Sequence, residues 1–203
     1  MIRQKRMLRL VIAFLAAAIL TVNSGCQFGT KIVLETDSPD KVLQHFFEEL
    51  QAGNYEACDQ YLADNATFVF QDDTDYYFAG TLMDEMTKHV SYVSLEEPVI
   101  DSLNASQKIR VSSIDYEALV KWMSENIDKM EDKYLQTTGR FSMDSQNHYD
   151  VSRVLAIAIE EYAKNAATVR NQITVHYVFS EEQWKIKVDA ALITAIFGGV
   201  VND

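Results

Sequence analysis

The chain is short of the residues that most often announce a chemistry. Its 203 residues include two cysteines, two prolines, four histidines and seven glycines. His45, His89, His148 and His176 are far apart, and none belongs to a His-Glu-x-x-His or Cys-x-x-Cys spacing, so no metal centre is expected. Glycine is too sparse for a phosphate-cradling loop and no Gly-x-Ser-x-Gly elbow occurs, which argues against nucleotide binding; no cofactor is expected. Positive charge is scarce as well: 18 Lys and Arg stand against 30 Asp and Glu, a formal net charge of -12. A field of that sign repels nucleic acid and anionic lipid headgroups, because binding either requires cations that displace counterions from phosphates. Nucleic acid is therefore excluded as an expected partner. Internal repeats, low-complexity tracts and Pro/Gly-rich linkers are missing too, so one folded domain is the economical reading. The apolar run from Leu10 to Val22 has 13 residues. As a helix it would cover about 20 Å, short of a bilayer core of about 30 Å.

What is present at the N-terminus is a basic start (Arg3, Lys5, Arg6, Arg9), that apolar run, and a small-residue exit through Asn23, Ser24 and Gly25. This is the anatomy of a secretion signal. Thr21-Val22-Asn23-Ser24-Gly25-Cys26 resembles the lipobox of bacterial lipoproteins, in which small residues precede a cysteine that becomes the lipidated N-terminus. Asn23 stands where an aliphatic residue is usual. The resemblance implies lipidation of Cys26 and places the protein on the extracytoplasmic face of the bacterial cytoplasmic membrane. Cleavage after Ser24 with free secretion, and an uncleaved anchor, are the alternatives. Each buried CH₂ of an acyl chain adds about 0.8 kcal/mol, so two or more chains hold a protein on a bilayer durably. With Cys26 acylated only Cys58 remains, and stability has to come from a core rather than a disulfide. Removal of residues 1–25 takes away Arg3, Lys5, Arg6 and Arg9 and no acid, which moves the formal charge from -12 to -16. The expected organisation is a signal peptide over 1–25, a lipidated tether over 26–37 and a single α+β domain over 38–203. A chain of that size buries about 70% of its unfolded surface, enough to fold without staples.

Within the domain, Ser38 and Pro39 predict a helix start, and Val42, Leu43, Phe46, Phe47 and Leu50 form its apolar face up to Gly53. Asn54 is placed to cap a second helix with Ala57, Cys58, Tyr61 and Leu62 inward, which makes a helical hairpin. Residues 66–70 read as a short strand ending in the acidic turn Gln71-Asp72-Asp73-Thr74-Asp75. Leu82, Met83, Met86 and Val90 predict a third helix. Residues 92–95, 99–103 and 108–113 read as strands, with Asn104-Ala105-Ser106-Gln107 as the turn between the last two. Asp115 caps a long helix to about Tyr134 along Leu119, Trp122, Met123, Ile127 and Met130, and residues 136–147 form a polar loop. A further helix over 150–165 buries Val154, Leu155, Ala158, Ile159 and Tyr162. Val169, Ile173, Val175, Tyr177 and Phe179 share one face of a strand; Ser180-Glu181-Glu182-Gln183 turns it back into Trp184, Ile186 and Val188, and a tail helix closes the chain.

Helices followed by strands that end in a hairpin define the fold class as α+β: a curved antiparallel sheet packed by the N-terminal helical hairpin, with a two-helix insertion before the C-terminal β-hairpin. Three segments resemble the nuclear-transport-factor-two-like superfamily, a cystatin-like α+β cone, and in particular its small lipoprotein domains. They are Ser38-Pro39-Asp40-Lys41-Val42 with Phe46-Phe47, Leu50-Gln51-Ala52-Gly53-Asn54-Tyr55-Glu56-Ala57, and Thr174-Val175-His176-Tyr177-Val178-Phe179 with Gln183-Trp184-Lys185-Ile186. The resemblance covers the two ends of the domain, and the helices of its middle depart from it. No catalytic position carries over.

The remaining candidates have plain readings. Asp72, Asp73 and Asp75 are hard oxygen donors of the kind calcium takes, but their spacing is that of a solvated acidic turn. Cys58 reads as a core thiol and the histidines as surface or packing residues. Tyr76, Tyr77, Phe78 and Tyr92 would line a cone-shaped pocket or pack a core. The expected function is a lipid-anchored, non-enzymatic module that binds a small ligand, peptide or envelope protein through the sheet's concave face. An enzyme using that cavity for proton transfer or hydrolysis, and a purely structural envelope protein, are the alternatives. A filled cone would favour the last.

Overall fold

The computed structural model describes residues 37–64, 66, 77–138 and 151–201. Pro39 opens α1 (Pro39–Gln51), where its fixed φ suits the first helical position and its missing N–H costs no helical bond. Ser38 occupies the cap position in extended conformation, but its side chain makes no capping hydrogen bond. Val42, Leu43, Phe46, Phe47 and Leu50 are buried along one face, as their spacing predicts. Gly53, at φ 74°, ends the helix in the left-handed region. The second helix is shorter than expected: α2 (Tyr55–Cys58) is one turn that tightens into a 3-10 turn at Asp59–Tyr61. Asn54 accepts from the N–H groups of Ala57 and Cys58 through its carbonyl, and its side-chain amide donates back to Glu49 Oε2 at 2.7 Å.

After α3 (Tyr77–Lys88) the chain enters an antiparallel sheet made of β1 (Ser91–Ser94), β2 (Val99–Asp101), β3 (Asn104–Ile114), β4 (Thr168–Ser180) and β5 (Gln183–Lys187). β3 and β4 form its centre, paired from Asn104↔Val178 to Ile114↔Thr168. β1 and β2 share the outer edge of β3, and β5 lies beyond β4. The edge of β5 is covered by a parallel bridge of Leu62 to Ile186 and by the N–H of Ala63 donating to the Ile186 carbonyl at 2.8 Å. The fold is thus α+β with a curved antiparallel sheet, and the helices α4 (Tyr116–Thr138) and α5 (Val151–Ala163) lie between β3 and β4 in the chain.

Several expected boundaries move. Asn104-Ala105-Ser106-Gln107 is strand rather than turn, and the chain reverses at Ser102-Leu103, with Ser102 at φ 56°. The polar composition that suggests a turn at 104–107 is accommodated because the pleat sends Asn104 and Ser106 to the open side of the sheet. Gln107 points inward and serves a bulge. Between the pairs Ser94↔Ile109 and Val99↔Ser106, residues 95–98 face only 107 and 108. The Gln107 amide fills that gap, donating to Ser94 Oγ at 3.2 Å and the Glu96 carbonyl at 3.4 Å, and its oxygen accepts from the Tyr177 hydroxyl at 2.8 Å. α4 runs to Thr138, past the expected end near Tyr134. The expected turn after β4 narrows to Glu181-Glu182, both at positive φ. Of the strand expected over 66–70, residues 67–70 lie outside the described residues, as do residues 1–36 and the acidic turn 71–75.

Two hydrophobic clusters result. Under the sheet, α1, the inward faces of β3, β4 and β5, and α6 (Ala190–Ile196) bury Phe46, Phe47, Ile109, Val175, Tyr177 and Ile196. α6 starts at Asp189, whose Oδ1 accepts from the N–H of Leu192 at 2.8 Å. Beyond the end of β3, α3, α4 and α5 bury Met86, Ile114, Leu119, Met123, Ile127, Val154, Leu155 and Ile159. Asp115 caps α4 as predicted, its Oδ1 accepting from Ala118 N–H at 2.9 Å. Phe197 packs against both clusters.

Candidate interaction surface

The face of the sheet that the helices cover, where a cone-shaped pocket would open, is occupied by core side chains. Phe46, Ile109, Tyr177 and Ile186 are fully buried there. Its polar groups are satisfied from within: Ser113 Oγ donates to the Ala195 carbonyl at 2.7 Å, and Asn171 donates to Gly199 O at 2.8 Å while accepting from Val201 N–H at 3.0 Å. Burial raises the Tyr177 hydroxyl pKa, and Tyr177 donates its proton to Gln107. Tyr55, donating to Asp84 at 2.8 Å and close to Thr87, is pushed up to about 12, mainly by burial. Among the described ionisable side chains on this face, tyrosines predominate, and they hold their protons.

The residues singled out by composition do not converge. Cys58 is fully buried beneath α1, with Sγ 3.8 Å from the Phe46 carbonyl; burial first, then nearby Asp59 and Glu49, push the thiol up to about 12, as a core residue requires. His45 lies on the exposed side of α1 between Asp37 (3.7 Å) and Glu48 (3.3 Å), and His89 lies beside Glu85 at 3.4 Å. His176 is exposed on the open side of β4. Phe78 and Tyr92 enter different clusters, Tyr92 with its ring 4.5 Å from that of Phe47. Among the described residues no group of three His, Cys, Asp or Glu side chains is placed to hold a metal, and no helix is long and apolar enough to cross a membrane. Cys26, Asp72, Asp73, Asp75, Tyr76 and His148, and the side chain of Tyr77, lie outside the described residues.

The opposite face of the sheet is open and carries charge of the sign the chain otherwise lacks. The pleat turns Lys108 and Arg110 of β3, Arg170 and His176 of β4, and Lys185 and Lys187 of β5 to this side. Ser106, Ser112, Gln172 and Thr174 fill the positions between them. Among the outward positions of the described strands, Asp101 at the hairpin tip is the one carboxylate. Lys108 is tied to Glu96 at 3.1 Å, and half-buried Lys185 donates to the Gln60 carbonyl, its burial lowering the ammonium pKa. Arg110, Arg170 and Lys187 are exposed, and no carboxylate among the described residues pairs with them. Val93, directly opposite Arg110, and Val99, opposite Ser106, add 62% and 65% exposed apolar side chains at the border. The charges were legible singly, as polar residues alternating with apolar ones, but their meeting on one surface depends on a register spanning three strands.

No family model, no curated protein and no solved structure matches the chain.

Proposed function

We propose that this protein is a lipid-anchored extracytoplasmic module, held on the membrane through acyl chains on Cys26, that works by binding at its surface rather than by catalysis. The observation that carries the binding half is the contrast between the two faces of the sheet: one occupied by core, the other open, polar and cationic. Surface recognition fits this arrangement better than capture of a small ligand in a cone. A purely structural envelope role is the second reading, favoured by the filled helix-covered face. An enzymatic reading has less support, because the histidines at 45 and 89 sit in exposed pairs with carboxylates and, among the described residues, the fully buried ionisable groups are tyrosines and a thiol that hold their protons. The anchor rests on Ser24-Gly25-Cys26 behind an apolar run too short to span, and the nuclear-transport-factor-two-like reading is supported by an N-terminal helix laid against an antiparallel sheet.

The test is intact-mass measurement and membrane fractionation in a bacterial host. The expected mature chain begins at Cys26 and carries acyl mass, and Cys26→Ala releases it from the membrane fraction. Full-length mass, or unchanged retention of the variant, would overturn the anchor.

A further inference from the structure

Resting on the membrane-anchored reading, we infer that the open sheet face is a docking surface for an anionic bilayer, which lays the tethered domain flat on the membrane. Two observations converge. The face presents Arg110, Arg170 and Lys187 without carboxylate partners among the described residues, over Ser and Thr hydroxyls able to hydrogen-bond phosphate oxygens. Val93 and Val99 stand exposed at the border of this face, apolar groups that gain from leaving water at a membrane interface.

The net charge of the chain does not oppose this. At physiological ionic strength the screening length is about 8 Å. The acids on the outer side of α1, Glu48 among them, lie beyond a core and a helix, on the order of 15 Å away. A lipid surface touching the sheet therefore meets the local cations rather than the average of -16 that the chain carries without residues 1–25. The acidic tips, Asp101 at one hairpin and Glu181 and Glu182 at the other, lie at one end of the sheet, Asp101 two residues along from the row of Lys187, and Glu96 at the β1–β2 edge is paired with Lys108 at 3.1 Å, so contact centres on Arg110 and Arg170, farther along the ladder. Each basic residue near an anionic surface is worth about fivefold in partitioning, and three are worth about a hundredfold. That is modest alone, but it adds the second attachment that sets the orientation of a lipid-tethered domain.

The experiment uses the full chain with Cys26→Ser and Val93→Cys, labelled at position 93 with a polarity-sensitive dye; the buried Cys58 thiol stays unlabelled. Vesicles of phosphatidylcholine with and without phosphatidylglycerol are added, and sedimentation and dye emission are read separately. The expected result is a blue shift on anionic vesicles alone, lost in 1 M salt, with no shift for a dye at Glu125→Cys on α4. Arg110→Gln, Arg170→Gln and Lys187→Gln together weaken the dye response about a hundredfold, whereas Arg110→Lys, Arg170→Lys and Lys187→Arg together keep it. Sedimentation without a shift at position 93 means that another segment attaches the chain, and overturns face docking while leaving the anchor standing. An unchanged response in the Gln variant overturns it as well. A shift produced by soluble polyphosphate but not by vesicles assigns the face to a soluble polyanion and has the same effect. Failure of the anchor itself is read independently, from the mass at Cys26.

Discussion

Gly198 stands where β3 hands over to α4, and two constraints meet at it. Its φ is 73°, and a Cβ placed there would sit 1.7 Å from the Ile114 carbonyl oxygen and 2.9 Å from the carbonyl carbon. Backbone cannot retreat as a flexible side chain can. The approach is needed because the Gly198 carbonyl accepts the N–H of Tyr116 at 3.0 Å, which holds the start of α4 to the C-terminal segment. Gly198→Ala is expected to cost more than about 3 kcal/mol, from a left-handed residue combined with a backbone clash. Urea unfolding measures it, and a loss below about 1 kcal/mol would show that the segment moves aside freely. Gly80 is the contrast: a Cβ there meets nothing within 4 Å, so Ala on that helix is expected to be tolerated or mildly stabilising.

At the scale of elements, the β4–β5 hairpin stores strain in plain view. A two-residue loop that matches strand twist needs positive φ at its central positions, and here those are Glu181 and Glu182, at 53° and 64°. Replacing the pair by Asn-Gly is expected to stabilise the protein by about 1–2 kcal/mol, read as a higher thermal midpoint; an unchanged midpoint would mean that the glutamates make compensating contacts. Between α4 and α5, Glu161 accepts from Lys133 and, at 2.9 Å, from Lys164, and these hydrogen bonds lower its carboxyl from 4.5 to about 2. The folded value lies below the unfolded one, so this tie favours the fold above pH 4.5 and is lost as pH falls toward 2. Glu161→Gln should lower the thermal midpoint at pH 7 and converge on wild type near pH 2, and a gap that does not narrow on acidification would rule the tie out. These elements were legible to different degrees. The stripes of α1, α4 and α5, Pro39 at the first helical position and the cap Asp115 are local signals and hold in the structure, whereas Ser38 makes no capping hydrogen bond. The bulge at 95–98 and the strand at 104–107 depend on what Gln107 meets across the sheet, Ser94 on one side and Tyr177 on the other, and no local window contains both.

For the whole molecule, the division of the core into two clusters is the feature that periodicity could not reveal, since each stripe says which face is inward and not which partner it finds. The open cationic face was hidden for the same reason: Arg110 and Arg170 are 60 positions apart in sequence, and Arg170 and Lys187 are 17 apart. The two clusters share Phe197 and the seam at Ile114, a narrow connection beside the long β3–β4 ladder. Such an arrangement lets α4 and α5 open while the sheet stays folded, because opening them costs the helical cluster alone. Native-state hydrogen exchange separates this from one cooperative unit. Leu119 belongs to the helical cluster, whose packing breaks whether the helices open alone or the whole domain unfolds. Leu119→Ala should therefore lower protection by about 2–5 kcal/mol in α4, α5 and the sheet alike. Ile109 belongs to the sheet cluster, whose packing survives when only the helices open. In Ile109→Ala, protection of β3 and β4 should fall by a similar amount while α4 and α5 keep theirs. An equal fall everywhere in Ile109→Ala would mean that sheet and helices unfold together, and that the shared residues at the seam carry more coupling than their number suggests.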